Sequence, residues 1–466
     1  MTRSIDRRRF IRQGAMAGVG VGVLGGAATA RASASTASPS FLSTAGSSAK
    51  ASPAILGAGS QSETVVVAVM GVNSRGNELA KAFARSGAAV ACICDVDSRA
   101  VDRTVADISE IQEKRPQGVT DFRRALDDPS IDAIVIAAPD HWHTPAAMLA
   151  MQAGKDVYLE KPCSHNPHEG ELIVAAQAKY GRVVQMGNQQ RSAPESIEII
   201  KEIHSGIIGR PYFGRAWYAN TRGPIGHGSV AQVPDWLDYD LWQGPAPRTP
   251  YRDNVIHYNW HWFWRWGTGE ICNNGTHEID VCRWALTVDY PVRVTSAGGR
   301  YHFDDDWEMP DTQVVSYDFE GGKTITWEGR SCNGRPVEGR GRGASIHCEN
   351  GTVVLDRSGY VVYDNDNTEI KRNIRASSEA TLDTRGGGSL TDMHIGNFLN
   401  TIRGEERLTA PVGDGRRSQL LCHLGNIAQR TTGVVRCDPS TGRIVDNPEA
   451  KRLWGREYEP SWEPRV

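Results

Sequence analysis

Val65-Val66-Val67-Ala68-Val69-Met70-Gly71-Val72-Asn73-Ser74-Arg75-Gly76 reads as a strand, a tight turn and the start of a helix. The run to Met70 is apolar and mostly β-branched, as in a central parallel strand buried on both faces. Gly71 and Gly76 bracket the turn, and Leu79, Ala80, Ala82 and Phe83 follow at helical spacing. Backbone N–H groups at such a helix start can bind a pyrophosphate. Asn73 stands where the G-x-G-x-x-G pattern has its middle glycine. Asn tolerates positive φ, so the turn survives, although backbone approach to a ligand is less close. A second strand, Ala89–Cys94, ends in Asp95, 19 residues after Gly76. A carboxylate there accepts hydrogen bonds from a ribose hydroxyl and repels a 2′-phosphate. Gly71, Asn73, Ser74, Arg75, Gly76 and Asp95 therefore predict a dinucleotide site. NAD is favoured, and NADP is left open because Arg99 lies nearby.

The alternation continues outward. A helix is predicted over 99–113, a short one over 122–126 and a strand over 132–138. Pro139-Asp140-His141-Trp142-His143-Thr144-Pro145 reads as a loop before a helix over 145–153. Asp156–Leu159 is a strand that ends in Glu160-Lys161-Pro162. A helix over 169–180 leads to a strand over 183–186 and then to Gly187-Asn188-Gln189-Gln190-Arg191. Ligands gather outside the carboxyl ends of parallel strands. Pro139, His141, His143, Glu160, Lys161 and Asn188 are thus expected to line the cofactor pocket. A partly desolvated Lys161 in such a crevice can lower its pKa and exchange a proton.

Beyond residue 188 the pattern changes. A helix over 193–204 and a strand over 211–218 precede a stretch, 219–258, dense in Gly, Pro, Asn and aromatics, which suggests a long ordered loop over a site. Asn259-Trp260-His261-Trp262-Phe263-Trp264-Arg265-Trp266 offers stacking surfaces for sugar faces, with core packing expected to take more of the rings. Arg191, Trp260, His261, Asn273 and His277 are the candidate substrate contacts. A helix entered near Gly275 places Asn273, His277 and Asp280 at spacings of four and three, so they can share a face. Alternating segments at 292–297, 313–319, 324–328, 345–348, 352–355 and 360–363 predict a largely antiparallel sheet, a surface also suited to a homo-oligomer. Residues 373–388 read as a mobile loop, followed by helices over 390–403 and 417–432.

At 466 residues the chain exceeds one comfortable core. Its net charge is −3, and the first 32 residues carry +5 of their own, so the remainder is mildly acidic. That balance excludes a nucleic-acid footprint. The nine cysteines show no Cys-x-x-Cys and no paired Cys/His spacing, so no metal site is expected, and their odd number leaves individual disulfides open. Arg7-Arg8-Arg9-Phe10-Ile11-Arg12 precedes a Gly/Ala/Val run to Ala30 and a small-residue site at Ala30-Arg31-Ala32. This resembles a twin-arginine signal, with no stable membrane insertion, and implies export in folded form to the periplasm or another extracytoplasmic space. The expected organisation is a signal over 1–32, a disordered linker over 33–62, a nucleotide-binding domain over 63–187 and a second α/β domain over 188–466.

Taken together, Gly71-x-Asn73-x-x-Gly76, Pro139-Asp-His-Trp-His143, Glu160-Lys-Pro162 and Gly187-Asn-Gln-Gln-Arg191 resemble the glucose–fructose oxidoreductase/inositol dehydrogenase (Gfo/Idh/MocA) family. Asp238–Pro247, Gly275-Thr-His-Glu-Ile-Asp280 and His423-Leu-Gly-Asn426 extend the likeness, which is nearest to an exported branch. The resemblance implies a Rossmann domain followed by an α/β domain with a large, mostly antiparallel open sheet. It implies an NAD(P)-dependent oxidoreductase acting on a secondary alcohol of a sugar, cyclitol or related polyol. Lys161 would be the catalytic lysine and His277 the second proton-handling residue. Members often carry Asp where this chain has Asn273, so Asp280 is expected to help orient His277. A glycoside-cleaving enzyme that uses NAD transiently and a non-catalytic nucleotide-binding protein are the alternatives. Free NAD is scarce outside the cytoplasm, so export implies a tightly held cofactor.

Overall fold

The computed structural model describes residues 64–375, 388–431 and 433–466. The expected signal, the linker and all but the ends of the 373–388 loop lie outside these residues. Six parallel strands form the first sheet: β1 (Val66–Met70), β2 (Ala89–Cys94), β3 (Gln117–Val119), β4 (Ala133–Ile136), β5 (Asp156–Leu159) and β6 (Val184–Met186). Their spatial order is 3-2-1-4-5-6. Helices α1 (Arg75–Arg85), α2 (Ser98–Ser109), α3 (Arg123–Leu126), α4 (Asp140–Gln152) and α5 (Pro167–Tyr180) make the connections. The order reverses between β1 and β4, which opens a crevice at their carboxyl ends. Two apolar clusters sandwich the sheet, one built on Val67, Val69 and Phe83, the other on Ile134, Ile136 and Met148. At the crevice Gly71 has φ +83°, and a Cβ there would lie 2.5 Å from the Ala138 amide nitrogen. Only glycine fits that approach.

The segment read as a loop from Pro139 to Pro145 is helical from Asp140 onward. Pro145 lacks the N–H that would bond to the carbonyl four residues earlier. That carbonyl, of His141, accepts instead from Arg456 Nη2 at 2.7 Å. The interruption is thus repaired from the tail of the chain. α5 begins on a reciprocal cap: Asn166 Oδ1 accepts from Glu169 N at 3.0 Å, and the Glu169 carboxylate accepts from His165 N at 2.9 Å. This fixes the chain just after Lys161-Pro162.

The second half supplies α6 (Pro194–Ser205), β7 (Pro211–Ala219), α7 (Tyr239–Gln243) and α8 (Thr276–Leu286). The strands that follow are β8 (Arg293–Gly299), β9 (Thr312–Phe319), β10 (Lys323–Arg330), β11 (Arg342–Cys348), β12 (Gly351–Asp356), β13 (Gly359–Asp364) and β14 (Glu369–Ile374). Last come α9 (Ser389–Ile402), α10 (Val412–Arg430), β15 (Val434–Arg436) and α11 (Pro448–Arg452). A nine-stranded sheet runs 14-13-12-11-7-10-9-8-15, antiparallel except for the β7–β10 pair. Alternation sends Tyr317, Ile325, Trp327 and Ile346 into the core beneath α8 and α10, while Ser316, Thr324, Thr326 and Glu328 stay half-buried on the other face. Asn373 and Ile374, read as loop, belong to β14.

α9 joins the first sheet. Phe398 meets the ring edges of Phe83 and Tyr158 at centroid distances of 6.2 and 5.7 Å, and His394 Nε2 lies 2.9 Å from the Met186 carbonyl oxygen. All nine cysteines are free thiols. Among the described residues no helix is long and apolar enough to cross a membrane, and no His/Cys/Asp/Glu cluster could hold a metal ion.

Candidate active site

The carboxyl ends of β1, β2, β4 and β5 open into a cavity of about 340 Å³ whose far wall comes from the second half of the chain. Gly71, Asn73, Ser74, Arg75, Asp95, Pro139, His143, Glu160, Lys161, Trp260, His261, Asn273 and His277 all line it. The sequence-read site is therefore largely one place in space.

Lys161 stands at its centre. Its Nζ donates to the Asn273 carbonyl oxygen at 2.7 Å and to Asn273 Oδ1 at 2.9 Å. Burial lowers the Lys161 pKa, with Glu160 and Asp140 partly opposing that shift. Glu160 is itself fully enclosed. Burial raises its pKa, but Arg75 Nε at 2.8 Å and the Lys161 charge outweigh that, so the net shift is downward and the carboxylate stays ionised. Gln189 Nε2 adds a donor at 3.2 Å. The two ring nitrogens of His143 lie 2.6 Å from the carbonyl oxygens of Ala138 and Pro162, tying the end of β4 to the Lys161-Pro162 corner. Asp140, also enclosed, accepts from the Thr268 hydroxyl at 2.5 Å, and burial raises its pKa.

The His277 ring makes no hydrogen bond among the described residues. Burial, then Arg357, Lys161 and Arg342, push its pKa well down, so it is a neutral imidazole lining the cavity. Its expected partners lie elsewhere. Asn273 belongs to a wide π-type turn, Ile271–Gly275, ahead of α8, so the four-residue spacing to His277 does not stack the two side chains, and Asn273 serves Lys161. Asp280 accepts from Arg191 Nε and Nη2 at 2.7 and 2.8 Å and from Ser418. Arg191 is consequently a structural clasp, buried against Asp280 and Asp414, and it lines no part of the cavity. His141, whose Nε2 lies 2.9 Å from the Trp242 carbonyl oxygen, is buried behind the wall with its pKa pushed down to about 3. Asn188 is buried as well, and its neighbour Gln189 reaches the cavity instead. Gly76 packs the helix start against the turn, since a Cβ there would lie 2.1 Å from the Gly71 carbonyl oxygen.

At the other end Asp95 accepts from the amides of Val72 at 2.6 Å and Asp97 at 3.0 Å. Arg99 bonds to Asp97 and lies 3.5 Å over the Trp236 ring. The 219–258 segment crosses here: Leu237 bridges to Asp97, Ser98 N donates to the Trp236 carbonyl, and Asp238 N donates to the Val96 carbonyl, both at 3.0 Å. His257 Nε2 lies 2.8 Å from Asp97 Oδ2. Of the aromatic stretch, Trp260 and His261 stack at 3.6 Å and face the cavity, whereas Trp262 stacks on Trp307 in a separate core.

Sequence reasoning missed Asp140, Trp242, His257 and Tyr258, and also Arg342 and Arg357, which line the same cavity. Arg342 opens β11 and Arg357 tips the β12–β13 turn; no local pattern marks either. The residues at the glycine turn fit a dinucleotide. Arg75 Nη1 is a buried donor without a hydrogen-bond partner in the structure, it stands at the start of α1, and the Gly71 surface admits close approach.

The comparisons agree with this geometry. An oxidoreductase family with an NAD-binding Rossmann fold matches residues 65–188, and the C-terminal alpha/beta domain of an oxidoreductase family matches 198–344. An inositol 2-dehydrogenase of Saccharopolyspora erythraea is 29% identical over 157 residues, 34% of this chain and 45% of that protein. A glycosyl hydrolase family 109 protein of the same organism is 31% identical over 194 residues, 38% of this chain and 42% of that protein. The chain thus spans about half the length of these curated relatives. The solved structure of a levoglucosan dehydrogenase with NADH and levoglucosan superposes with a TM-score of 0.62 at 17% identity, covering 80% of this chain and 99% of that one. The two matched regions together take in more than half of the residues, and the chain belongs to the Gfo/Idh/MocA oxidoreductase family, an NAD-binding Rossmann fold followed by a C-terminal α/β domain.

Proposed function

We propose that the protein transfers a hydride between NAD and a secondary alcohol of a sugar, cyclitol or related polyol. The observation that carries this reading is Lys161 Nζ, enclosed at the end of β5 and held by both oxygens of Asn273. A neutral amine has two N–H groups and one lone pair. With both N–H groups given to Asn273, the lone pair is left for a substrate hydroxyl, from which it takes the proton. In the reverse direction the ammonium returns that proton. Burial favours the neutral form, as a base requires. His277, neutral and with no protein partner among the described residues, offers a donor or an acceptor to a neighbouring hydroxyl. Trp260 and His261 offer stacked faces to a sugar ring. NAD, when bound, supplies the hydride acceptor at its nicotinamide, and the Gly71–Arg75 turn, Asp95 and Glu160 are the residues that would hold it.

The test is Lys161→Met. Turnover should fall about 10²- to 10⁴-fold while NAD binding, followed by fluorescence quenching, is largely kept. A variant with near-normal turnover would remove Lys161 from the chemistry.

A second reading has a specific basis, since one relative is named a glycosyl hydrolase family 109 protein. Here Lys161 would open the same proton abstraction, with the hydride returned within the cycle. Sugar release from glycosides without net NADH would favour it, and steady NADH formation would favour simple oxidation. A purely nucleotide-binding role is the weaker reading, because Lys161, Asn273 and His277 share one cavity with the cofactor turn.

The proposal extends to the twin-arginine signal, export in folded form and a cofactor that stays bound. The strap over β2, pinned through Leu237 and Trp236, supports slow exchange. Denaturing protein purified from the periplasm should release one NAD per chain. Protein that arrives empty would count against export with retention. The half-buried polar face of the nine-stranded sheet is the proposed oligomer surface, and light scattering reads the assembly size.

A further inference from the structure

We propose that His261 accepts a hydrogen bond from a second substrate hydroxyl through Nε2, and so decides which polyols the chamber takes. This rests on the redox reading for the identity of the chamber. His261 sits in a short 3₁₀ turn, Asn259–Trp262, on the cavity wall that the second half of the chain supplies. Its Nδ1 lies 2.6 Å from the Tyr258 carbonyl oxygen, which also accepts from the His261 amide at 3.3 Å. A carbonyl oxygen can only accept, so Nδ1 carries the ring proton. Burial pushes the ring pKa down to about 3 against the pull of that carbonyl, and Lys161, Arg222 and His143 act in the same direction as burial. The ring is therefore neutral, and Nε2 is a bare lone pair. It has no hydrogen-bond partner among the described residues.

This acceptor is held in place before anything binds. Trp260 stacks on the ring at 3.6 Å with an interplanar angle of 18°, and the Tyr258 ring lies 4.7 Å away. Gly267 closes on the backbone behind it, since a Cβ there would lie 2.4 Å from the His261 carbonyl oxygen. A lone pair left unpaired when a ligand displaces water is costly, so the position selects a ligand that brings a donor. An ether or ketone oxygen cannot serve it, whereas a hydroxyl or an amide N–H can. Two observations favour a substrate hydroxyl over the amide of nicotinamide. His261 lies outside the 65–188 region that matches the NAD-binding fold. The Lys161 charge also reaches its ring, which sets it beside the amine that takes the substrate proton. The hydroxyl that meets Lys161 gives its proton away there, so the donor to Nε2 must be a different one.

The test uses the full chain loaded with NAD and labelled with nitrogen-15 in its histidine rings. His261→Phe keeps an aromatic ring against Trp260 and removes the acceptor, so it assigns the His261 signals. If that variant does not fold, His261→Leu takes its place. His261 should show a protonated Nδ1 and a bare Nε2 that persist to about pH 5, where an ordinary histidine is charged. D-glucose or myo-inositol should shift the Nε2 signal, and one monodeoxy derivative of the same polyol should fail to do so. His261→Phe should weaken binding of the parent polyol about ten-fold and leave that derivative unchanged. A proton found on Nε2, a signal that neither polyol moves, or a loss shared by every derivative overturns the inference. Weaker NAD binding with polyol discrimination intact would give the acceptor to the cofactor and overturns it as well. Absorbance of NADH separates this from the redox reading. Polyol oxidation that His261→Phe leaves unaltered would sink only the inference. Polyol binding that depends on His261 but yields no NADH would sink only the redox reading.

Discussion

Asn273 holds the Lys161 amine through two acceptors. As an amide it orients the amine without adding charge, and burial then lowers the lysine pKa. Asn273→Asp would place a carboxylate against Nζ, stabilise the ammonium and raise that pKa. A base must be deprotonated to act, so the rising limb of the kcat/KM pH profile for alcohol oxidation should move up by about one pH unit. A limb that stays in place would show that Lys161 is not the titrating base. The turn, Asp95, Lys161 and His277 were legible in the sequence because each sits in a short contiguous motif. What went wrong were pairings decided by side-chain direction. A π-type turn rotates Asn273 away from His277, and Arg191 finds Asp280 across 89 residues. Arg342 and Arg357 were invisible because strand register and a hairpin tip place them, not neighbours in sequence.

The strap made by residues 219–258 and helix α9 both contribute walls to the site. Arg99 over Trp236 is one of the strap's fastenings. Trp236→Ala removes a contact of the cation–π kind and should speed NAD release about ten-fold with kcat little changed, read by displacement with excess competitor. Unchanged release would show that the strap does not gate the cofactor. Phe398 fills the space between Phe83 and Tyr158. Phe398→Ala should cost about 3–5 kcal/mol in urea unfolding, and a loss under 1 kcal/mol would mean that the cavity collapses freely. Strands and helices were legible wherever period and breakers agreed, as in β1, β5 and α6. The start of α4 was misread because Pro145 looks like a helix start, whereas a carbonyl taken up by Arg456 lets it sit inside the helix. Short β15 has too few residues to show a period, and only its pairing with β8 defines it.

Enclosed titratable groups set the acid response of the folded chain. Burial pushes His141 and His261 down to about 3 and His394 down to about 4, with His165 and His277 also lowered. Each is neutral when folded and takes up a proton near pH 6.5 when unfolded, so each contributes stability that is lost as pH falls below 6.5. Asp95, Asp140 and Asp156 oppose this, because burial raises their pKa values and the folded form holds the extra proton above the ordinary carboxylate range. The lowered histidines, His347 among them, outnumber the raised aspartates, so falling pH favours the unfolded chain below 6.5. The urea midpoint should drop steeply between pH 6.5 and 5, and a flat profile would contradict the buried histidines. The placement of Phe398 has a consequence for biogenesis. The ribosome finishes β1 to β6 long before it makes α9, so the nascent nucleotide-binding half must wait, with Phe83 and Tyr158 uncovered, for some two hundred more residues. A chain stalled before Ser389 should therefore be cut by limiting protease where the released protein resists. Vectorial synthesis thereby sets an order: β1 to β6 and the 219–258 segment emerge before α9, made only in the last fifth of the chain, can cover Phe83 and Tyr158.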